Sequence, residues 1–386
     1  MKMKRFIVFA IGISVILVFS GETFPQQMPP KPEIIRWANY DIGASAYVMG
    51  MAIGEGMQKK HNIKLRMLPL GSGMGRMMAV RAKTSDIFIS AADAVYGRRG
   101  TEEWAVREWG PQAIQTVWMV KRRSTFAVVT RADSGVKKLE DLKGRRVAYI
   151  VGSPSLNAAV EGALNLVNLT WADVRKVEYP GLTAGYNAVK DGKVDAVAMA
   201  SASPVAYEME SSPSGIYWIP YPKYEDNPKG WERFAEIYPG TFADLVTGGA
   251  GISEKKPVYT ANFPFPNLFT YDFVDESLIY WQVKSIVESF DIYKGMAPDM
   301  PYWSLDDCLS LPLGWAPWHV GAVRYFKEIG KWSNKMQADQ DKLLAIDKKH
   351  KEMWEAALDE SVQKKIGGKD FTKFWLEKRA AAGFKY

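Results

Sequence analysis

Small, hydroxyl-bearing turns recur in this chain where an apolar run gives way to a helical one. Gly152-Ser153-Pro154-Ser155 follows the apolar run Arg146 to Val151 and precedes a helical segment from about Leu156 to Val167. Free N–H groups at a helix start, with the positive end of the helix dipole, suit such a turn to an anion or a carboxylate. A second unit repeats the arrangement. Helix Thr183 to Lys190 is closed by Asp191-Gly192, and strand Val194 to Met199 opens onto Ser201-Ala202-Ser203-Pro204. These loops offer Ser153, Ser155, Asn157, Ser201 and Ser203 as candidate ligand-binding residues. Earlier in the chain, the loop from Asn39 to Tyr47 offers Asn39, Asp41, Gly43, Ser45 and Tyr47. Ser72, Arg76 and Asp93 complete the set from two further loops. Arg76 is open to two readings: paired in fork geometry with a carboxylate in a cleft, or placed on a solvent-facing helix surface. No nucleophile–base pair stands among these residues, so the chemistry they suggest is binding and not catalysis.

The alternatives are constrained by what is missing. Gly71-Ser-Gly-Met-Gly75 lacks the Lys-Ser or Lys-Thr pair of a phosphate loop and the spacing of a dinucleotide fingerprint. His61, His319 and His350 are dispersed and Cys308 is the single cysteine, so neither a metal site nor a disulfide is expected. His319 reads as a structural residue that caps or packs a helix start. No cofactor is expected. A net charge of +7, scattered along the chain, gives no reason to expect a nucleic-acid partner.

The elements that must position these loops follow a β-loop-α rhythm, with polar or glycine residues after each strand. Strands are expected at Ile34 to Ala38, Ile63 to Leu68 and Ile87 to Ser90, then at Ala113 to Val120 and Thr125 to Val129. A short helix is expected from Val136 to Leu142, ahead of Gly144. This is the pattern of a parallel α/β layer with a crevice along the carboxyl ends of its strands. At 386 residues the chain is long enough for two such lobes. Lobe one is expected over residues 34–130 and 239–330, lobe two over 131–238, and the two chain crossings between them form a hinge. Residues 331–386 carry amphipathic helices expected to pack on lobe one. Residues 1–20, with Met1-Lys-Met-Lys-Arg5 ahead of the apolar stretch Phe6 to Phe19, read as a secretory signal peptide. Residues 21–33 form a Pro/Gln-rich linker. With no cysteine near the cleavage site, the expectation is a periplasmic protein without a lipoprotein anchor.

Three segments resemble a known family, the TAXI-type solute-binding proteins of tripartite ATP-independent periplasmic (TRAP) transporters. They are Val129-Thr-Arg-Ala-Asp-Ser-Gly-Val136 with Leu139-Glu-Asp-Leu-Lys-Gly-Arg-Arg-Val-Ala148 and then Gly152-Ser-Pro154, Ala188-Val-Lys-Asp-Gly-Lys-Val-Asp-Ala196, and His319-Val-Gly-Ala-Val-Arg-Tyr-Phe-Lys-Glu328. The resemblance implies a type II periplasmic-binding-protein fold, two α/β lobes joined by a hinge with the cleft between them. It also implies a receptor that hands its ligand to the membrane permease of a TRAP transporter, and Arg76 with the N–H groups at Ser153 to Ser155 make a small organic anion, a carboxylate, the expected ligand. The pocket-facing loops depart from the family pattern. The alternatives are the substrate-binding protein of an ABC importer of the nitrate, sulfonate or thiamine-precursor type, and a thiamine-pyrimidine-synthase-like enzyme on the same scaffold.

Overall fold

Runs of apolar residues broken by small polar ones form strands, and the longer amphipathic runs between them form helices. First come β1 (Ile34–Asn39), α1 (Ser45–His61), β2 (Lys64–Pro69), α2 (Gly73–Arg81), β3 (Ile87–Ser90), α3 (Asp93–Arg99) and β4 (Ile114–Trp118). Next are β5 (Phe126–Arg131), β6 (Arg146–Ile150), α4 (Pro154–Leu166), β7 (Arg175–Tyr179), α5 (Leu182–Lys190) and β8 (Val197–Ala200). They lead to α6 (Pro204–Ser211), β9 (Ile216–Trp218), α7 (Pro228–Ile237), β10 (Phe242–Val246) and β11 (Val258–Asn262). The chain ends with β12 (Asn267–Tyr271), α8 (Glu276–Glu288), α9 (Phe290–Tyr293), α10 (Leu305–Ser310), α11 (Val320–Glu328), α12 (Asn334–Gln363) and α13 (Gly368–Ala381). This computed structural model describes residues 28–121, 124–238, 240–311 and 313–384. The expected leader lies outside the described residues. Among the described residues no helix is long and apolar enough to cross a membrane.

The first sheet has the order β2-β1-β3-β12-β4. β1 pairs in parallel with β2 and β3, whereas β12 runs antiparallel to β3 and β4. Every residue of β3 is buried, as befits a central strand covered on both faces. β2 lies at the edge and ends in Pro69, where a missing N–H leaves no ladder partner unsatisfied.

The second sheet repeats that plan. β5 runs antiparallel between β8 and β9, β6 pairs in parallel with β7, and a parallel bridge from Val147 to Ala196 joins the two pieces. The resulting order, β7-β6-β8-β5-β9, matches the first sheet position for position. In each sheet the antiparallel strand is the one entered directly from the other lobe.

The crossings therefore fall elsewhere than the sequence suggested. β5, counted with lobe one up to residue 130, belongs to the second sheet. The β10–β11 ribbon also sides with lobe two: Tyr221 N–H donates to Tyr259 O (2.8 Å) and Thr125 Oγ1 donates to Ala261 O (2.7 Å). The lobes meet at residues 119–121, 124–125 and 263–266, and these two crossings bond to each other through Phe265 N–H and Val120 O (2.9 Å). The helix expected at Val136 to Leu142 is a single 3-10 turn, Leu139–Leu142. The Asp141 carboxylate accepts from Lys137 N–H (2.9 Å) and Lys138 N–H (3.2 Å), which fixes the preceding backbone outside a helix.

The two C-terminal helices pack on lobe one through α3 and the segment after it. Arg98 pairs with Asp347 (2.5 Å), Trp375 Nε1 donates to Gly100 O (2.6 Å), and Arg379 Nη1 donates to Arg99 O (2.6 Å). Trp354, Phe371 and Trp375 close over Ala105 as a small core of their own.

His319 caps α11. Its Nδ1 accepts from Gly321 N–H (3.1 Å) and its Nε2 lies 3.1 Å from Val274 O, so the neutral ring protonated on Nε2 satisfies both. Burial holds its pKa down to about 4 from the usual 6.5. Between those values the unfolded chain binds a proton that the folded chain does not, so this contribution to stability is complete above pH 6.5 and is lost as pH falls toward 4. Asparagine keeps a capping acceptor but does not titrate. Urea unfolding of His319→Asn should show a smaller gain in stability than the wild type between pH 4 and 6.5. Equal gains would remove His319 as a source of the pH dependence.

Candidate ligand-binding site

The loops after β1, β2 and β3 face those after β6 and β7, and in this structure they touch. Gly73 N–H donates to Ser153 Oγ (2.8 Å), Met74 N–H to Gly152 O (3.2 Å), and Ser155 N–H to Asp93 Oδ1 (2.8 Å). Thr183 N–H reaches Asp41 Oδ2 (3.4 Å). Ser153, Ser155, Ser72, Asp41 and Asp93 thus belong to the junction between lobes. Gly43 does too, since a Cβ on it would stand 2.8 Å from the Thr183 side chain. Ser72 also caps α2 by accepting from Gly75 N–H (3.1 Å).

Arg76 sits in neither of its two expected settings. It is fully buried rather than solvent-facing, and its partners are internal. Nε donates to Ile89 O (2.7 Å), Nη1 to Leu70 O (3.0 Å), and the guanidinium stacks on the Tyr40 ring (3.5 Å to the centroid). Nη2 lies 3.8 Å from Asp93 Oδ2. Burial raises the Asp93 carboxyl above the usual carboxylate value, and the Arg76 charge and the Ser155 hydrogen bond pull it partly back. The first turn of α4 and Arg76, both expected to hold a ligand carboxylate, are occupied here by Asp93.

Four other predicted residues serve the scaffold in this structure. Asn39 donates to Ala46 O (3.1 Å) and accepts from Tyr40 N–H (2.7 Å). Asn157 accepts from Ile150 N–H (2.8 Å) and donates to Ile150 O (2.9 Å). Ser201 accepts from Thr125 N–H (3.0 Å) and donates to Gly248 O (3.2 Å), while Ser203 caps α6. Tyr47 is half-buried on α1 and lines neither cavity described below.

Beside the junction lies an apolar cavity. Lobe one supplies Tyr40, Ala44, Ser45 and Ala91, and lobe two supplies Leu156, Leu182, Tyr186 and Ala200. Phe126, Phe263 and Phe265 enter from the crossings, and Tyr238 closes the wall. Ser45 is the one predicted residue that lines it. Sequence reasoning missed the apolar walls, although Tyr40 sits within the first candidate loop and the two phenylalanines within the Pro-rich return crossing. With the lobes together its volume is about 10 Å³, room for a single water. A larger hollow of about 780 Å³ opens between α3, α4 and α13, where Glu102, Glu103 and Glu161 stand near Tyr149 and Trp171. Burial pushes the Glu103 carboxyl up to about 7. Asn157 is the one predicted residue that reaches this hollow. Among the described residues no group of three His, Cys, Asp or Glu side chains is placed to hold a metal ion.

Two α/β lobes of matching strand order, joined by paired crossings with the strand-end loops face to face, define the type II periplasmic-binding-protein fold. Residues 41–330 match the NMT1-like family, and the chain belongs to that family. Solved structures similar to it include the alkanesulfonate-binding protein SsuA of Xanthomonas axonopodis pv. citri bound to MOPS, at 12% identity, covering 89% of this chain and 96% of that one, with a TM-score of 0.46. The periplasmic aliphatic sulphonate-binding protein SsuA of Escherichia coli aligns at 13% identity over 83% of this chain and 88% of that one, with a TM-score of 0.39. An ancestral arginine-binding protein bound to arginine aligns at 15% identity over 69% and 97%, with a TM-score of 0.41. No curated protein sequence matches.

Gly73 must be glycine for the junction to close as it does, because a Cβ there would stand 2.1 Å from Asp93 Oδ2. Gly73→Ala should drive the carboxylate from Ser155 N–H and part the lobes. The expected outcome is a larger radius of gyration in solution scattering and a stability loss of about 1–3 kcal/mol, the usual range for overpacking. An unchanged radius and melting temperature would show that the closed junction does not depend on this contact.

Proposed function

We propose that the protein is an exported solute-binding receptor that closes two lobes over a small organic molecule and presents it to a membrane permease. The observation that carries this reading is the apolar cavity at the lobe junction, walled by both lobes and by both crossings. A rotation about the paired crossings would open it, and closure would bury the ligand with no covalent step. The protein acts by binding, without catalysis. Tyr40, Ser45 and Tyr186 offer hydroxyls among the apolar walls, and the candidates Asp41, Ser72, Ser153 and Ser155 form the closing rim.

Membership of the NMT1-like family supports the ABC-importer reading over the TRAP-type permease suggested by the TAXI-like segments. A periplasmic location follows from the same reading and from the leader-like N-terminus. The test is a thermal-shift screen of the purified protein against sulfonates, amino acids, aromatic acids and uncharged aromatics, with hits checked by equilibrium dialysis. A ligand selective for the folded state raises the melting temperature by mass action. The expected outcome is a dose-dependent shift with one chemical class. Turnover of a hit compound by the protein would overturn the receptor reading.

A further inference from the structure

The Asp93 carboxylate sits where the fold would receive an anion. Oδ1 accepts from Ser155 N–H (2.8 Å) in the first turn of α4, a helix of 13 residues whose dipole favours negative charge there. Arg76 Nη2 and Asp93 Oδ2 face each other at 3.8 Å, and neither atom has a hydrogen-bond partner among the described residues. Both side chains are 0% exposed. Gly73 supplies the space against which the carboxylate lies. Arg76 does not line the apolar cavity; its link to it runs through the ring of Tyr40, which stacks on the guanidinium and forms part of the wall. Among the described residues no charged side chain lines that cavity.

We propose that Asp93 is a built-in occupant of the anion position: its carboxylate takes the place of an acidic ligand, bolts the two lobes together in the empty shut form, and leaves the adjoining cavity, once opened, to an uncharged apolar or aromatic molecule. The choice of ligand rests on the receptor reading, whereas the bolt does not. Asp93 is carried on lobe one and its N–H donor on lobe two, so the bond exists only when the cleft is shut. An acidic ligand entering beside it would set two negative charges against one guanidinium in a site with little water to screen them. The expectation of a carboxylate ligand is replaced by a carboxylate that the chain supplies itself.

Removing the side chain should turn the occupied position into a vacant one that a free carboxylate fills. Wild type, Asp93→Gly and Asp93→Ser are melted in rising sodium acetate, with sodium chloride balancing ionic strength and acetamide as the uncharged control. Both variants should melt below the wild type and regain stability in acetate, with an apparent affinity at least tenfold tighter than the wild type's. Acetamide should not substitute. Asp93→Ser retains a hydroxyl at the start of α3 and carries the measurement if Asp93→Gly does not fold. Equal acetate responses in all three proteins, or failure of both variants to fold in excess acetate, would overturn the proposal. An anionic compound from the ligand panel that binds the wild type more tightly than Asp93→Gly would overturn it as well. A panel with no binder would count against the receptor and not against the Asp93 bolt, because rescue by acetate requires no ligand.

Discussion

The architecture depends on the two crossings lying side by side and bonded to each other. Phe265 N–H meets Val120 O, Val120 N–H meets the Asn267 side chain, and the Thr125 hydroxyl meets Ala261 O. Each crossing delivers a strand antiparallel into the other lobe's sheet, so neither sheet can be completed by its own half of the chain. A lobe built this way cannot drift away from its partner; it can only turn about the shared strip. The cleft, the junction and the cavity all lie where that turning brings the strand ends together.

The repeated strand order was partly legible from the sequence. Ile34 to Ala38, Ile87 to Ser90 and Arg146 to Val151 announce themselves as apolar runs that open onto small polar loops. What sequence could not assign was sheet membership. Phe126–Arg131 is as apolar as Ile114–Trp118, and nothing local distinguishes the strand that closes one sheet from the strand that begins the next. The lobe boundaries were misplaced for that reason. The single turn at Leu139–Leu142 was overread because the Asp141 carboxylate competes for backbone N–H groups that a helix would have left for its own first turn.

The meeting of the strand-end loops was legible in kind but not in detail. Loops after strand ends do face each other across the lobes, as the positions of Asp41, Ser72, Asp93, Ser153 and Ser155 attest. Yet a small polar residue after a strand is equally suited to satisfying the backbone around it. Asn39, Asn157, Ser201 and Ser203 do so, because the turns they occupy are buried and their N–H and C=O groups need partners. The cavity's apolar walls left no trace, since Leu156, Leu182 and Phe263 look like any other core residue in one dimension. Only the meeting of both lobes makes them a surface.

The small size of the shut cavity sets a limit on how tightly anything can be held. About 10 Å³ remains in the closed form, whereas pockets that take organic molecules span roughly 300–1,000 Å³. A ligand must therefore meet an opened population, and its measured dissociation constant is the intrinsic one divided by the open fraction. Each ~1.4 kcal/mol of added stability in the empty closed form weakens the apparent affinity about tenfold once that form predominates. Residues that never touch the ligand then govern its affinity, and the strength of binding is written partly into the resting state of the protein.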